Sequence, residues 1–92
     1  MDATEITKKE ILNLKFPEND VLDSDRKRTN RWLNLKAASF KKNNLKSEQK
    51  IVFKSEKKGF LSVTSRVIVA QSKYIILSGG YVLPMRSIVH VH

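Results

Sequence analysis

Cysteine is absent from the 92 residues, which excludes a disulfide framework and a thiolate zinc site as the staple of so small a domain. Histidine is nearly absent as well: none precedes His90, so no serine has a base beside it in a recognisable nucleophile motif. Carboxylates thin out along the chain and none follows Glu56, so His90 and His92, two apart on one face of a terminal strand, lack a third metal ligand. Ser78-Gly79-Gly80 holds two of the three glycines but leads into no helix, so it reads as a turn and not as a phosphate cradle. These absences predict a protein that is not an enzyme, with no cofactor and no metal. No apolar run is long enough to span a membrane, and the opening Met-Asp-Ala-Thr-Glu lacks the basic start and apolar core of a secretory signal. A soluble, cytoplasmic protein with no membrane partner is the expectation.

What the chain does have is positive charge, unevenly placed. Residues 26 to 46 hold eight basic side chains and no acidic one: Arg26, Lys27, Arg28, Arg31, Lys36, Lys41, Lys42 and Lys46. Residues 1 to 25 carry net −4 and residues 47 to 92 net +5, within a whole-chain charge of +9. A block of one sign repels itself unless salt, solvent or a polyanion screens it. The acidic first quarter can also lie over the basic surface as an internal counter-charge, and both arrangements predict salt sensitivity.

The length allows one domain of modest core, and seven aromatics with an apolar content of 40% argue against disorder. Leu12, Leu14 and Phe16 alternate before Pro17 and predict a short extended segment. Asp23, Ser24 or Asp25 can cap a helix starting near residue 25. From Arg26 to Lys42 there is no Gly or Pro, and Thr29, Leu33, Ala37 and Phe40 fall on one stripe about 80° wide, the face expected to dock on the core. Lys27, Arg28, Arg31 and Lys42 fall opposite, with Leu35 and Ala38 among them and Trp32 at a flank. Asn43 and Asn44 are suitable stop residues.

Beyond the helix the period changes to two, with Ile51 and Phe53 alternating against Lys50, Val52 and Lys54. Lys57-Lys58-Gly59, Gln71-Ser72-Lys73 and Ser78-Gly79-Gly80 interrupt the pattern where hairpin turns would fall. The segments predicted as strands are about 48–56, 59–70, 73–78, 81–85 and 87–91, with a bend or edge near Pro84. Their expected core is Ile51, Phe53, Val63, Val67, Ile75, Leu77, Leu83 and Ile88. The predicted domain plan is an acidic segment 1–22, partly extended or loose, and a single domain 23–92 with its helix at 25–42 and its barrel at 48–91.

One helix followed by five short strands is the order of a small β-barrel, and residues 48–91 resemble the Sm-like and SH3-like layout. Lys73-Tyr74-Ile75-Ile76-Leu77-Ser78-Gly79-Gly80 followed by Leu83-Pro84-Met85-Arg86-Ser87-Ile88 is similar to the ending of a group of short uncharacterised bacterial proteins. The resemblance implies an α+β, mainly β fold, in which an N-terminal helix precedes a five-stranded antiparallel barrel. Sm-like RNA binders place an acidic or amide side chain after their second strand and an Arg-Gly or Lys-His pair before the last, and Gln71 and Arg86 are the nearest matches. Ser87 stands where glycine would follow the arginine, and Ala70 to Lys73 contain no Asp. The layout also resembles the Rof family, which presents an acidic surface to the terminator Rho; this chain carries the opposite charge.

The basic helix has two readings, a solvated face that maintains solubility and a surface that pairs with phosphates and releases their counterions. The second predicts sequence-tolerant binding of nucleic acid, RNA favoured, through Arg26, Lys27, Arg28, Arg31, Lys41, Lys42 and Lys46, the adjoining Lys57 and Lys58, and Arg86. Trp32 and one of Phe60, Tyr74 or Tyr81 are the candidates for stacking on bases. The alternative is a protein-interaction or self-assembling module that meets an acidic protein surface, motivated by Leu35 and Ala38 in the cationic face and by strand edges open to pairing.

Overall fold

The computed structural model describes residues 2–40 and 48–92. Its centre is a hairpin of β2 (Gln49–Ser55) and β3 (Gly59–Ser65), paired antiparallel so that Ile51 faces Val63 and Phe53 faces Leu61. A period of two sends these four side chains to one side of the hairpin, where all are buried, and Val52 and Ser62 on the other parity are buried as well. Gly59 closes the turn at φ +73, a conformation that glycine adopts without steric cost. The buried Ser55 hydroxyl accepts the Lys58 N–H at 2.8 Å and pins the turn from inside.

Two further strands complete the first sheet. β1 (Thr4–Glu5) lies parallel to β3, and β7 (Ile88–Val91) lies antiparallel to β2 with a register shift between Val52 and Phe53. The second sheet consists of β4 (Val67–Ala70), β5 (Tyr74–Leu77) and β6 (Val82–Pro84), each antiparallel to its neighbour. Between them the sheets enclose Ile51, Phe53, Leu61, Val63, Val67, Ile75, Leu77, Leu83 and Ile88, so every strand residue expected in the core is buried. Ile11, Leu35, Ala70 and Met85 complete the cluster.

The expected closed barrel is not what forms. Among the described residues there are seven strands in two open sheets, ordered β1-β3-β2-β7 and β4-β5-β6, and the helix follows β1 instead of preceding a five-stranded barrel. Segment 59–70 divides at Arg66, between Ser65 of one sheet and Val67 of the other. At the far end β6 stops at Pro84, which has no N–H to continue a ladder, and a 3-10 turn over Met85–Ser87 separates it from β7.

The N-terminal segment also departs from expectation. Lys8–Asn13 forms a 3-10 helix, not an extended run, and it buries Ile11 while Leu12 is 72% exposed. Leu14 and Phe16 do reach the core, where the Phe16 ring lies 6.2 Å from that of Phe53.

Helix α1 runs from Asp25 to Ser39, with Ser24 as its cap accepting the Lys27 N–H at 3.2 Å. It packs on β4 and β7 and so spans both sheets. Its orientation reverses the expected one: Arg31 (6% exposed) and Leu35 (0%) face inward, while Leu33 (52%) and Phe40 (63%) face outward. The stripe that looked like a core face is the solvent face. The inverted helix is held by polar chemistry, since burying Leu35 brings Arg31 under the loop that carries Asp20.

Candidate polyanion-binding surface

Phosphate contact is favoured at cations not already paired with the chain's own acids. On α1 most of the cations are paired in this way. Arg31 donates two hydrogen bonds to the Asp20 carboxylate, at 2.8 and 2.7 Å, and a third to the Ile88 carbonyl at 3.0 Å. The fork geometry matches a carboxylate in two places at once, which is the strong form of this pair. Its buried Nε lacks a partner, so the arrangement is held at some cost in desolvation.

Asp20 is shaped to receive that charge. Partial burial, the largest single influence on its carboxyl, raises the pKa; the Arg31 hydrogen bonds, the Leu22 N–H and the charges of Arg31 and Arg28 together outweigh it and hold the pKa below the usual carboxylate value. Asp20 is therefore the counter-ion of the helix. Its 2.9 Å bond from the Leu22 N–H fixes the loop that presents it.

Arg28 donates to the Leu22 carbonyl at 3.0 Å and lies 3.5 Å from Asp25 and 3.8 Å from Asp20. Lys27 pairs with Asp23 at 3.3 Å across one turn. The last two arrangements are exposed and individually weak, yet they reduce the positive field over the helix start. Arg26 differs, since no described group engages its side chain.

Other members of the expected site are scattered. Arg86 is exposed but donates to the Pro17 carbonyl at 2.6 Å, tying the 3-10 turn to the N-terminal segment. Gln71 lies in the exposed turn before β5, a neighbour of the Arg86 segment through the Met85 N–H bond to the Lys73 carbonyl at 2.8 Å. Trp32 is half-buried against the core, with the Lys36 ammonium 5.7 Å from its ring. The Lys36 ammonium also donates to the Ala70 carbonyl at 3.3 Å. Lys41, Lys42 and Lys46, and the stop residues Asn43 and Asn44, lie outside the described residues.

Lys57 and Lys58 stand apart from this pattern. Both are exposed on the β2–β3 turn, and the chain folds a third lysine beside them. The Glu56 N–H donates to the Lys15 carbonyl at 2.8 Å, which docks the turn on the segment following the first 3-10 helix. The result is a depression of about 160 Å³ lined by Asn13, Leu14, Lys15, Ser55, Lys57 and Lys58. Among the described residues no carboxylate pairs with its three ammonium groups. Glu56 adjoins Lys57 in the chain but does not line the depression, whose lining holds three cations and no acid. Lys54 extends the charge along the hairpin, its ammonium 5.5 Å over the Phe60 ring directly across the ladder.

Sequence reasoning found Lys57 and Lys58 but not Lys15, which is remote in sequence and sits in an acidic quarter. Its sole signal was being a cation just before Pro17, which predicts nothing about contact. Tyr74 is the exposed member of the three strand aromatics considered for stacking; Phe60 and Tyr81 are half-buried.

Elsewhere, His90 and His92 meet edge to face with ring centroids 4.4 Å apart. Burial, then the charges of His92 and Lys50, push the His90 pKa below 6.5. Among the described residues no three His, Cys, Asp or Glu side chains gather as a metal site would need, and no helix is long and apolar enough to cross a membrane. Comparison with known proteins found no matching family model, curated protein or solved structure.

Proposed function

We propose that this protein is a small non-enzymatic module that binds nucleic acid, with single-stranded RNA favoured, and that it does so through the hairpin lysines and not through the basic helix. The observation that carries the reading is the convergence of Lys15, Lys57 and Lys58 on one depression with no carboxylate paired to them among the described residues. Three unpaired ammonium groups attract successive phosphates and release their counterions. Lys54 and the Phe60 ring on the adjoining strand supply a further charge and an aromatic edge. Asn13 also lines the depression, and a side-chain amide can hydrogen-bond a ribose 2′-hydroxyl, the group by which a site distinguishes RNA from DNA. Nothing in the depression matches the edge of a particular base, so binding is sequence-tolerant.

The test is a titration of labelled mixed-sequence single-stranded RNA at several salt concentrations, with duplex DNA as competitor. The expected result is micromolar binding whose logarithm falls with log salt at a slope of about −3, as about four phosphate contacts on a single strand require. Absence of binding at low salt, where the attraction is strongest, overturns the proposal.

A further inference from the structure

The outward face of α1 is unexplained by nucleic-acid binding. Arg26, Asn30, Leu33, Ala37 and Phe40 succeed one another at alternating steps of four and three residues, the spacing of the contact seam between two packed helices. Leu33 and Phe40 are more than half exposed and Ala37 is exposed between them, so the seam faces outward from the described residues. A pattern of this kind normally points inward; here Leu35 and the Arg31–Asp20 pair occupy the inward face instead.

The charge along the seam limits what can cover it. Arg26 stands at its start with no described partner, and the Lys36 ammonium lies 5.5 Å over the Phe40 ring at its end. Asp25, adjacent to Arg26 in the chain, pairs with Arg28 instead. We infer that this seam docks an amphipathic helix of a partner protein whose apolar ridge is flanked by acidic side chains. The partner's leucine-like side chains fill the spaces between Leu33, Ala37 and Phe40, and its carboxylates meet Arg26 and Lys36.

A second copy of this chain is a poorer occupant. Pairing copies would oppose cation to cation on two chains of net charge +9.

The test uses the full chain and a displayed library of helical peptides with seam and flanking positions randomised. The expected result is enrichment of peptides with aliphatic seams and net negative flanks, whose binding weakens at least tenfold on Leu33→Glu or Phe40→Glu. Both sites are exposed, so unchanged circular dichroism and melting temperature are expected of these variants. Lys57→Glu/Lys58→Glu leaves peptide binding unchanged, which separates this inference from the nucleic-acid reading. No enrichment, enrichment of neutral or basic peptides, or undiminished binding to Leu33→Glu overturns it. So does sedimentation showing a dimer that Leu33→Glu dissolves, which would assign the seam to a second copy.

Discussion

The cations of α1 and those of the β2–β3 hairpin carry the same charge in sequence, but they differ in what the fold sets opposite them. Around α1 the chain folds Asp20, Asp23 and Asp25 onto Arg31, Arg28 and Lys27. Around the hairpin it adds another lysine. Density of basic residues is therefore a poor guide to free positive charge; the count that matters is of cations left without an acid. In the helix, charge is spent on holding the acidic loop and the helix together. In the hairpin it remains available to a partner.

The largest effect expected from this difference is on stability. Asp20→Ala leaves the Arg31 guanidinium buried without its counter-ion, a change that costs about 3 to 5 kcal/mol by analogy with other broken buried pairs. Equilibrium denaturation should show that loss, and Arg31→Glu should be as damaging or worse. A loss below 1 kcal/mol would mean that Arg31 finds solvent in the folded state and that the helix is not anchored as described.

Next in size is the contrast between the helix faces. Leu35→Ala should cost about 2 to 5 kcal/mol, the usual range for a fully buried leucine, whereas the exposed Leu33→Ala should change stability by no more than about 0.5 kcal/mol. Equal effects at the two positions would show the helix rotated relative to this account.

Binding contrasts are smaller in energy. Lys57→Glu/Lys58→Glu should weaken RNA binding by at least tenfold, about 1.4 kcal/mol, with little change in melting temperature. Lys27→Glu should leave RNA affinity close to that of the unaltered chain, because Lys27 already faces Asp23.

The smallest effects are in pH dependence, and their two sources separate by window. Asp20, held below 3.8, stabilises the fold at pH values above its unfolded pKa; that contribution declines as pH falls below 3.8 and through the lower folded value. His90, also lowered, resists protonation when folded, so stability declines as pH falls from above 6.5 toward its folded pKa. Denaturation midpoints measured from pH 8 to 3 should show both declines, with Asp20→Asn removing only the acidic one. A midpoint that rises on acidification through pH 6.5 would contradict the placement of His90.

Much of the β-structure was legible because alternation has a direct physical meaning. Ile51 and Phe53, Leu61 and Val63, Ile75 and Leu77 each repeat at an interval of two, and a strand sends such residues to one side. The glycine turns were readable for the same kind of reason. Closure was not, because whether 59–70 remains one strand or changes sheets at Arg66 depends on partners that local sequence does not name. The helix face failed more instructively. Periodicity weighs Leu33, Ala37 and Phe40 as a core stripe and treats Arg31 as solvent-facing, since an arginine enters a core only when a carboxylate is waiting there. That carboxylate is Asp20, eleven residues earlier in the chain and brought back by a loop. Lys15 was missed for a related reason: its place in the site depends on a long-range bond between its carbonyl and the Glu56 N–H.

The most direct test of the central claim is a salt titration of RNA binding by the unaltered protein, by Lys15→Glu/Lys57→Glu/Lys58→Glu and by Lys27→Glu/Arg28→Gln, each checked for folding by circular dichroism. The account predicts that the hairpin variant loses measurable binding while the helix variant keeps both the affinity and the slope of about −3. Loss of binding in the helix variant with retention in the hairpin variant would contradict it.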